Sequence, residues 1–303
     1  MSAGLKGISL AVIGGDDREL YLIPELQKQG AYIVGVGFEN ASPIPGMTLA
    51  PSLQDVVGQV DALLFPMFGT DERGVVKAKY SASPIVLNKE ILQAIPARVP
   101  VIIGWARPAL KSVAEKLGIL LVETITLNEI TILNSIPSAE GAIQMAMEAT
   151  TITIHGSESF VLGLGRTGWT LARMLKGIGA HVTGVARKPS DLARADEMGF
   201  HAVHLADLEE EIGRAEIIFN TVPHLILDRV MLDKVARDAV IVDLASIPGG
   251  TDFEYAQMLG IKALLAPGLP GIVAPKTAGR ILAQIYPQLI LRHLTTMNVT
   301  VQS

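Results

Sequence analysis

The chain of 303 residues predicts two α/β lobes, each on a parallel sheet, from three observations. Short β-branched runs alternate with amphipathic segments along most of the length. The strand-like runs are continuously apolar, as expected where helices cover both faces of a sheet. Residues 124–158 break the alternation, because Leu127, Ile130, Leu133, Ala142, Ile143, Ala146 and Met147 recur at helical spacing on either side of Pro137. A helix broken at Pro137 is expected there, bridging the lobes.

In the first lobe, ISLAVI (8–13) is followed by an amphipathic segment over 19–29, Gly30 as the helix stop, and AYIVGVGF (31–38). DALLFP (61–66), SPIVLN (83–88), VPVIIG (99–104) and GILLVE (118–123) read as further strands of a flavodoxin-like parallel sheet, with a helix over 108–117. The turn AVIGGDDREL lacks a third glycine, and Asp16 and Asp17 place negative charge where a pyrophosphate must sit. It reads as a helix cap rather than a nucleotide site.

The second lobe opens at SFVLGL (159–164) and continues through HVTGVA, GFHAV, EIIFNTV, AVIVDLAS and KALLAP. Gly163, Gly165 and Gly168 form G-x-G-x-x-G between a strand and a helix, with Arg166 and Thr167 at the helix start. That context identifies a Rossmann NAD(P)-binding domain: one glycine makes the turn, one admits the pyrophosphate, and one lets helix and strand pack. The second strand ends on Ala186, Arg187 and Lys188 with Ser190 nearby, where NAD-selective sites carry an acid, so NADP is the expected cofactor. The expected limits are 1–135 for the first domain, rejoined by a C-terminal helix over 280–303, and 136–279 for the cofactor domain, with the ligand cleft between the lobes.

The strand-end rule selects the remaining candidates. Thr221, Val222, Pro223, Ala245 and Ser246 are expected beside the cofactor, and Ser246 with the Gly249 and Gly250 amides and Arg107 beside substrate. His224 and Lys276 are the candidates for acid–base work, Lys276 requiring burial for that role; with Arg107, Lys276 is alternatively a partner for a substrate carboxylate. His201 and His204, three apart on a strand, point to opposite faces and do not make a metal pair, so no metal is expected.

Composition excludes other classes. There is no cysteine, hence no disulfide or thiolate chemistry. The net charge of −5 comes without a basic stripe, so nucleic acid is not an expected partner. No apolar run approaches the roughly 18 residues of a membrane span, and the N-terminus has no signal-peptide pattern, so a soluble, cytoplasmic protein is expected.

FVLGLGRTG, NTVP, DLASIPGGTDF and APGLPGIVAPKTAG, preceded by SIPSAEGAIQMAMEATTITIHGS, together resemble the A-subunit family of dipicolinate synthase, from the spore dipicolinic acid pathway. The cofactor lobe alone is also similar to D-2-hydroxyacid dehydrogenases, alanine dehydrogenase and adenosylhomocysteinase. The resemblance implies NADP-dependent oxidation of dihydrodipicolinate, or of its 4-hydroxy-tetrahydro precursor, in the mother-cell cytoplasm of a sporulating bacterium. It implies a flavoprotein-like partner, the B-subunit of the same synthase; a homo-oligomer is left open. Two other readings fit the residues: an NADP-dependent hydroxy- or amino-acid dehydrogenase, and a non-catalytic regulatory protein that binds NADP(H).

Overall fold

The structure, a computed structural model, describes residues 4–300, with side chains to residue 295. The outermost residues of the expected domains, 1–3 and 301–303, lie outside the described residues. The chain forms two compact units, one of residues up to Thr131 and from Ala274 onward, the other Ile132–Val273.

The first unit contains β1 (Ser9–Ile13), α1 (Asp17–Lys28), β2 (Tyr32–Val36), β3 (Met47–Ala50), β4 (Ala62–Leu64), β5 (Val75–Val76), β6 (Ile85–Val86), α2 (Lys89–Ala94), β7 (Val101–Ile103), α3 (Pro108–Lys116) and β8 (Leu121–Glu123). The chain passes to the second unit within α4 (Asn128–Ala149). That unit holds β9 (Glu158–Leu162), α5 (Arg166–Ile178), β10 (His181–Ala186), α6 (Pro189–Glu197), β11 (His201–His204), α7 (Leu208–Glu211), β12 (Ile217–Asn220), α8 (Arg229–Lys234), β13 (Val240–Asp243), α9 (Phe253–Met258), β14 (Lys262–Leu265) and α10 (Leu269–Val273). The last helix, α11 (Pro275–Thr300), returns to the first unit.

Each unit has a six-stranded sheet, β3-β2-β1-β4-β7-β8 in the first and β11-β10-β9-β12-β13-β14 in the second. Every pairing within these sheets is parallel. In β1, Leu10 and Val12 face α1 and α11, where Leu22, Leu26, Leu282 and the fully buried Tyr286 pack, while Ala11 and Ile13 face Leu92, Leu110 and Ala114 of α2 and α3. The second unit repeats the division: Val161 packs against α4 and α5, and Phe160 and Leu162 against α8 and α9. Two-sided burial is why the strands read as unbroken apolar runs.

Three elements differ from the sequence reading. SPIVLN contributes only β6, which pairs antiparallel with β5 in a separate ribbon. Pro84 precedes it and Asn88 is already the cap of α2, leaving three residues between them, of which two form the strand. β3 is an additional edge strand, half-exposed and framed by prolines, so it lacks the apolar run that marks its neighbours. Without β3, the first sheet keeps the flavodoxin-like order. Finally, α4 runs unbroken through Pro137, with Ser135 and Ser138 hydroxyls donating to the carbonyls of Ile132 and Asn134 at 2.6 and 2.9 Å in the turn that proline disturbs.

The turn after β1 is a cap, as its sequence suggests. Asp16 accepts from the Arg18 amide, and Glu19 reaches back to accept the Asp16 amide at 2.6 Å, completing a capping box on α1. The Arg18 guanidinium is also buried and pairs with Asp16 at 2.9 Å. Burial pushes the Glu19 carboxyl up to about 7 from 4.5, against the pull of Arg18. The folded chain therefore keeps this proton over a range where the unfolded chain has released it. The stability from the neutral carboxyl is complete below about pH 4.5 and lost as pH rises through about 7. Glu19→Gln is expected to flatten the fall in Tm between about pH 5 and 8 and to exceed the parent's stability at the upper end by roughly 3 kcal/mol. Thermal melts of both proteins across that range check this, and parallel pH profiles would contradict it.

Candidate nucleotide-binding site

In the second unit, β9 delivers the chain to a turn that only glycine can make. Gly163 sits at φ +90°, and a Cβ on it would lie 2.6 Å from the Val222 side chain and 2.7 Å from the Thr221 hydroxyl oxygen. A Cβ on the buried Gly168 would lie 1.9 Å from the Gly163 carbonyl oxygen, so α5 crosses the turn in backbone contact. Gly165, by contrast, is exposed, with nothing within 4 Å of where its Cβ would be. It is the N-cap of α5 and supplies no side-chain hydrogen bond. An uncapped helix N-terminus beside open space suits a pyrophosphate, which needs amide donors and close backbone approach. The residues therefore fit a dinucleotide.

The adenosine side follows β10. Its last residue, Ala186, is buried, and Arg187, Lys188 and Ser190 are exposed immediately beyond it. His204, opposite Ala186 in the adjoining strand, holds this turn: its Nδ1 accepts the Ala206 amide, so its Nε2 carries the hydrogen and donates to the Arg187 carbonyl, both at 3.2 Å. No carboxylate occupies positions 187–190.

The ends of β12 and β13 are tied by one buried carboxylate. Asp243 accepts from the Asn220 amide group at 3.1 Å, the Ala245 N–H at 3.0 Å, the Gly250 N–H at 2.8 Å and the Thr251 hydroxyl at 2.7 Å. Asn220 also bonds both backbone groups of Val222. A charged group deprived of water survives burial when donors surround it, and here those donors belong to the loops that must be held. A Cβ on Gly250 would fall within 2.6 Å of Asn220, Val222 and His224 atoms, so the two loops touch through backbone.

The sequence candidates separate accordingly. Gly163, Gly165, Gly168, Thr221, Val222 and Ala245 come together around the turn and the Asp243 network, with Arg166 and Thr167 in the first turn of α5. Thr221 acts on the turn itself, its hydroxyl lying 3.0 and 2.9 Å from the Leu162 and Gly163 carbonyl oxygens. Pro223, His224 and Ser246 are exposed on the neighbouring loops.

The expected roles of the Gly249 and Gly250 amides require correction. Gly249 donates to the Ser246 carbonyl and Gly250 to Asp243, each at 2.8 Å, so neither N–H is left for a substrate. Lys276 is exposed at the start of α11, without the burial its role as a base requires. Arg107 caps α3 in the first unit, stacks on Trp105 at 4.1 Å, and bonds the Thr70 carbonyl and the Glu72 carboxylate at 3.2 and 3.0 Å. Asn220 and Asp243 are strand-end residues that the sequence already offers as candidates, but the bond between them across the two loops is not legible there, and the role of His204 is missed. Asp243 carries a signal, as a lone acid ending the apolar run VIV before a glycine-rich loop. His204 carries none, because only strand pairing brings it beside Arg187.

Sheet order, glycine turn and open helix end define a dehydrogenase-type nicotinamide-dinucleotide-binding protein. Residues 135–246 match the NAD binding domain of D-isomer specific 2-hydroxyacid dehydrogenases, and residues 9–125 match the N-terminal domain of the dipicolinate synthase A-subunit. The chain belongs to that A-subunit family: it is 42% identical over 287 residues to the dipicolinate synthase A-subunit of Bacillus subtilis (strain 168), covering 94% of this chain and 97% of the relative. The crystal structure of the A-subunit from Bacillus halodurans superposes with a TM-score of 0.91 at 41% identity, covering 95% of this chain and 99% of the other. The apo-structure of D-lactate dehydrogenase from Escherichia coli, at 15% identity, TM-score 0.62 and coverage of 97% and 98%, shares the fold alone.

The two glycines predict opposite phenotypes. Gly168→Ala drives a methyl group into a carbonyl and is expected to cost about 3 kcal/mol or more of stability. Gly165→Ala meets no protein atom, and is expected to leave Tm nearly unchanged while weakening nicotinamide-dinucleotide binding by about tenfold or more. Melting curves and calorimetric titration of both variants test the pair.

Proposed function

We propose that this protein is an NADP-dependent oxidoreductase that converts dihydrodipicolinate, or its 4-hydroxy-tetrahydro precursor, to dipicolinate. The assignment of the reaction rests on the 42% identity to a dipicolinate synthase A-subunit along 94% of the chain. The observation that carries the cofactor preference is the exposed Arg187–Lys188 pair, with Ser190, where an NAD-selective site holds an acid.

When bound, NADP+ would supply an acceptor for the hydride that leaves the dihydropyridine ring, with a proton released as the ring becomes aromatic; the 4-hydroxy-tetrahydro precursor must first lose its hydroxyl as water to give that ring. The chain's own residues bind and orient. Amides at the start of α5 receive the pyrophosphate, with Gly165 admitting it and Gly163 and Gly168 fixing the turn. Arg187 and Lys188 bind the 2′-phosphate, Arg187 on a backbone anchored by His204. Asp243 and Asn220 hold the loops that carry Ser246 and His224, and the exposed His224 imidazole is the candidate proton acceptor. Aromatisation itself drives the step, so a modest acid–base inventory is sufficient. The relative's name, which makes it one of several subunits of a synthase, supports a flavoprotein-like B-subunit partner for this chain. The family resemblance supports the cytoplasm of the sporulating mother cell.

The test is to incubate the chain, alone and with its partner, with freshly made dihydrodipicolinate and NADP+ or NAD+, following dipicolinate by ultraviolet absorbance. Faster turnover with NADP+ is expected, and no dipicolinate under any condition removes the proposal. The Arg187→Ala/Lys188→Ala double variant is expected to lose about tenfold to a hundredfold in NADPH affinity and little in NADH affinity. Calorimetry with both cofactors reads this, and equal losses for the two would end the NADP assignment.

A further inference from the structure

In the first sheet, the connections from β1 run outward through β2 and β3 on one side, and those from β4 through β7 and β8 on the other. The topological switch therefore lies between β1 and β4, and ligands of open α/β sheets gather beyond the carboxyl ends at that point. Two backbone segments meet there. Residues 77–79 lie along the turn after β1, with the Gly15 N–H donating to the Lys77 carbonyl at 2.8 Å and the Lys79 N–H to the Gly15 carbonyl at 2.7 Å. The loop after β4 carries Phe68, and the Lys77 ammonium stands 3.6 Å from the centre of its ring.

Three of the cations near these turns are neutralised. Arg18 pairs with Asp16 at 2.9 Å, Lys79 with Asp17 at 2.6 Å, and Arg107 with Glu72 at 3.0 Å. Lys77, exposed, has no carboxylate within salt-bridge distance among the described residues. The next loop continues the pattern. A Cβ on Gly69 would lie 1.8 Å from the Trp105 carbonyl oxygen and one on Gly104 2.0 Å from the Met67 carbonyl oxygen, so the loops after β4 and β7 are in backbone contact. They present adjacent ring–cation pairs, Phe68 with Lys77 and Trp105 with Arg107.

We propose that Lys77 is a substrate-binding residue whose ammonium, held over the Phe68 ring, takes one carboxylate of a planar dicarboxylate ring. An ammonium resting on an aromatic face keeps N–H donors for an anion. A lysine with an internal acid partner would have to surrender it first. Phe68 lies between Lys77 and Arg18, whose guanidinium is 5.3 Å from its ring centre, and the exposed Trp105 supplies apolar surface for the ligand ring between its charges. The inference rests on the dipicolinate reading above, since it takes its ligand from that reaction.

The probe is pyridine-2,6-dicarboxylate, titrated calorimetrically into the full-length parent, Lys77→Met and Lys77→Arg, each with bound NADPH, alongside kcat and KM for dihydrodipicolinate. Lys77→Met is expected to weaken dicarboxylate binding and raise KM by about tenfold or more, with NADPH affinity unchanged, and Lys77→Arg to recover most of the loss. Parent-like binding and KM in Lys77→Met overturn the role of Lys77 while the dipicolinate reading stands. A parent that neither binds the dicarboxylate nor forms dipicolinate overturns that reading, and the assignment of Lys77 with it.

Discussion

Both units depend on the contact between the first strand of a parallel sheet and the helix that follows it. The chain must reverse within a few residues and lay a helix N-terminus against the strand end, which requires backbone to touch backbone. Gly163 and Gly168 meet this demand in the second unit, whereas in the first Gly14 and Gly15 take positive φ and pack against the Lys77 carbonyl and the Glu19 side chain. The helix dipole then points at whatever lies beyond the turn, and the units differ in what they put there. In the first, Asp16 and Glu19 supply the negative charge and the acceptors from within the chain. In the second, Gly165 makes no side-chain cap and brings no negative charge.

That difference separates a structural turn from a nucleotide site built on the same topology. The first unit buries its anion beside Arg18 and has to hold Glu19 neutral over part of the pH range. The second buries a carboxylate too, Asp243, but surrounds it with four donors drawn from two loops. Burying a charge is costly without such partners, so the network acts as a mechanical constraint on the loops after β12 and β13. Gly250 makes the constraint tight, because any side chain there would separate the loops.

Local pattern carries the strands with continuous apolar runs, the fingerprint and the basic ending of β10. It fails where chain neighbours and spatial neighbours differ. β3 is half-exposed and has no apolar run to announce it, and the run in SPIVLN is real but too short, between Pro84 and the cap at Asn88, to join the sheet. Pro137 normally ends a helix, yet nearby hydroxyls bond the carbonyls of its turn and α4 continues. Gly249 and Gly250 do lie on a strand-end loop, but nothing local says that their amides are already spent on Ser246 and Asp243. Arg107 likewise reads as a free cation until Glu72 is seen beside it.

By itself, the sequence determined two parallel α/β units, a dinucleotide turn and a basic, acid-free stretch at the end of its second strand, because these depend on residue type at short spacing. Periodicity, a missing Cβ and the sign of a charge are all local properties. Only the tertiary structure decided which polar groups remain available. It consumed the Gly249 and Gly250 amides, paired Arg18, Lys79 and Arg107 with acids, and left Lys77 on the ring of Phe68 with no acid of its own among the described residues. Availability is set by partners brought together through strand order, and a linear chain does not display them.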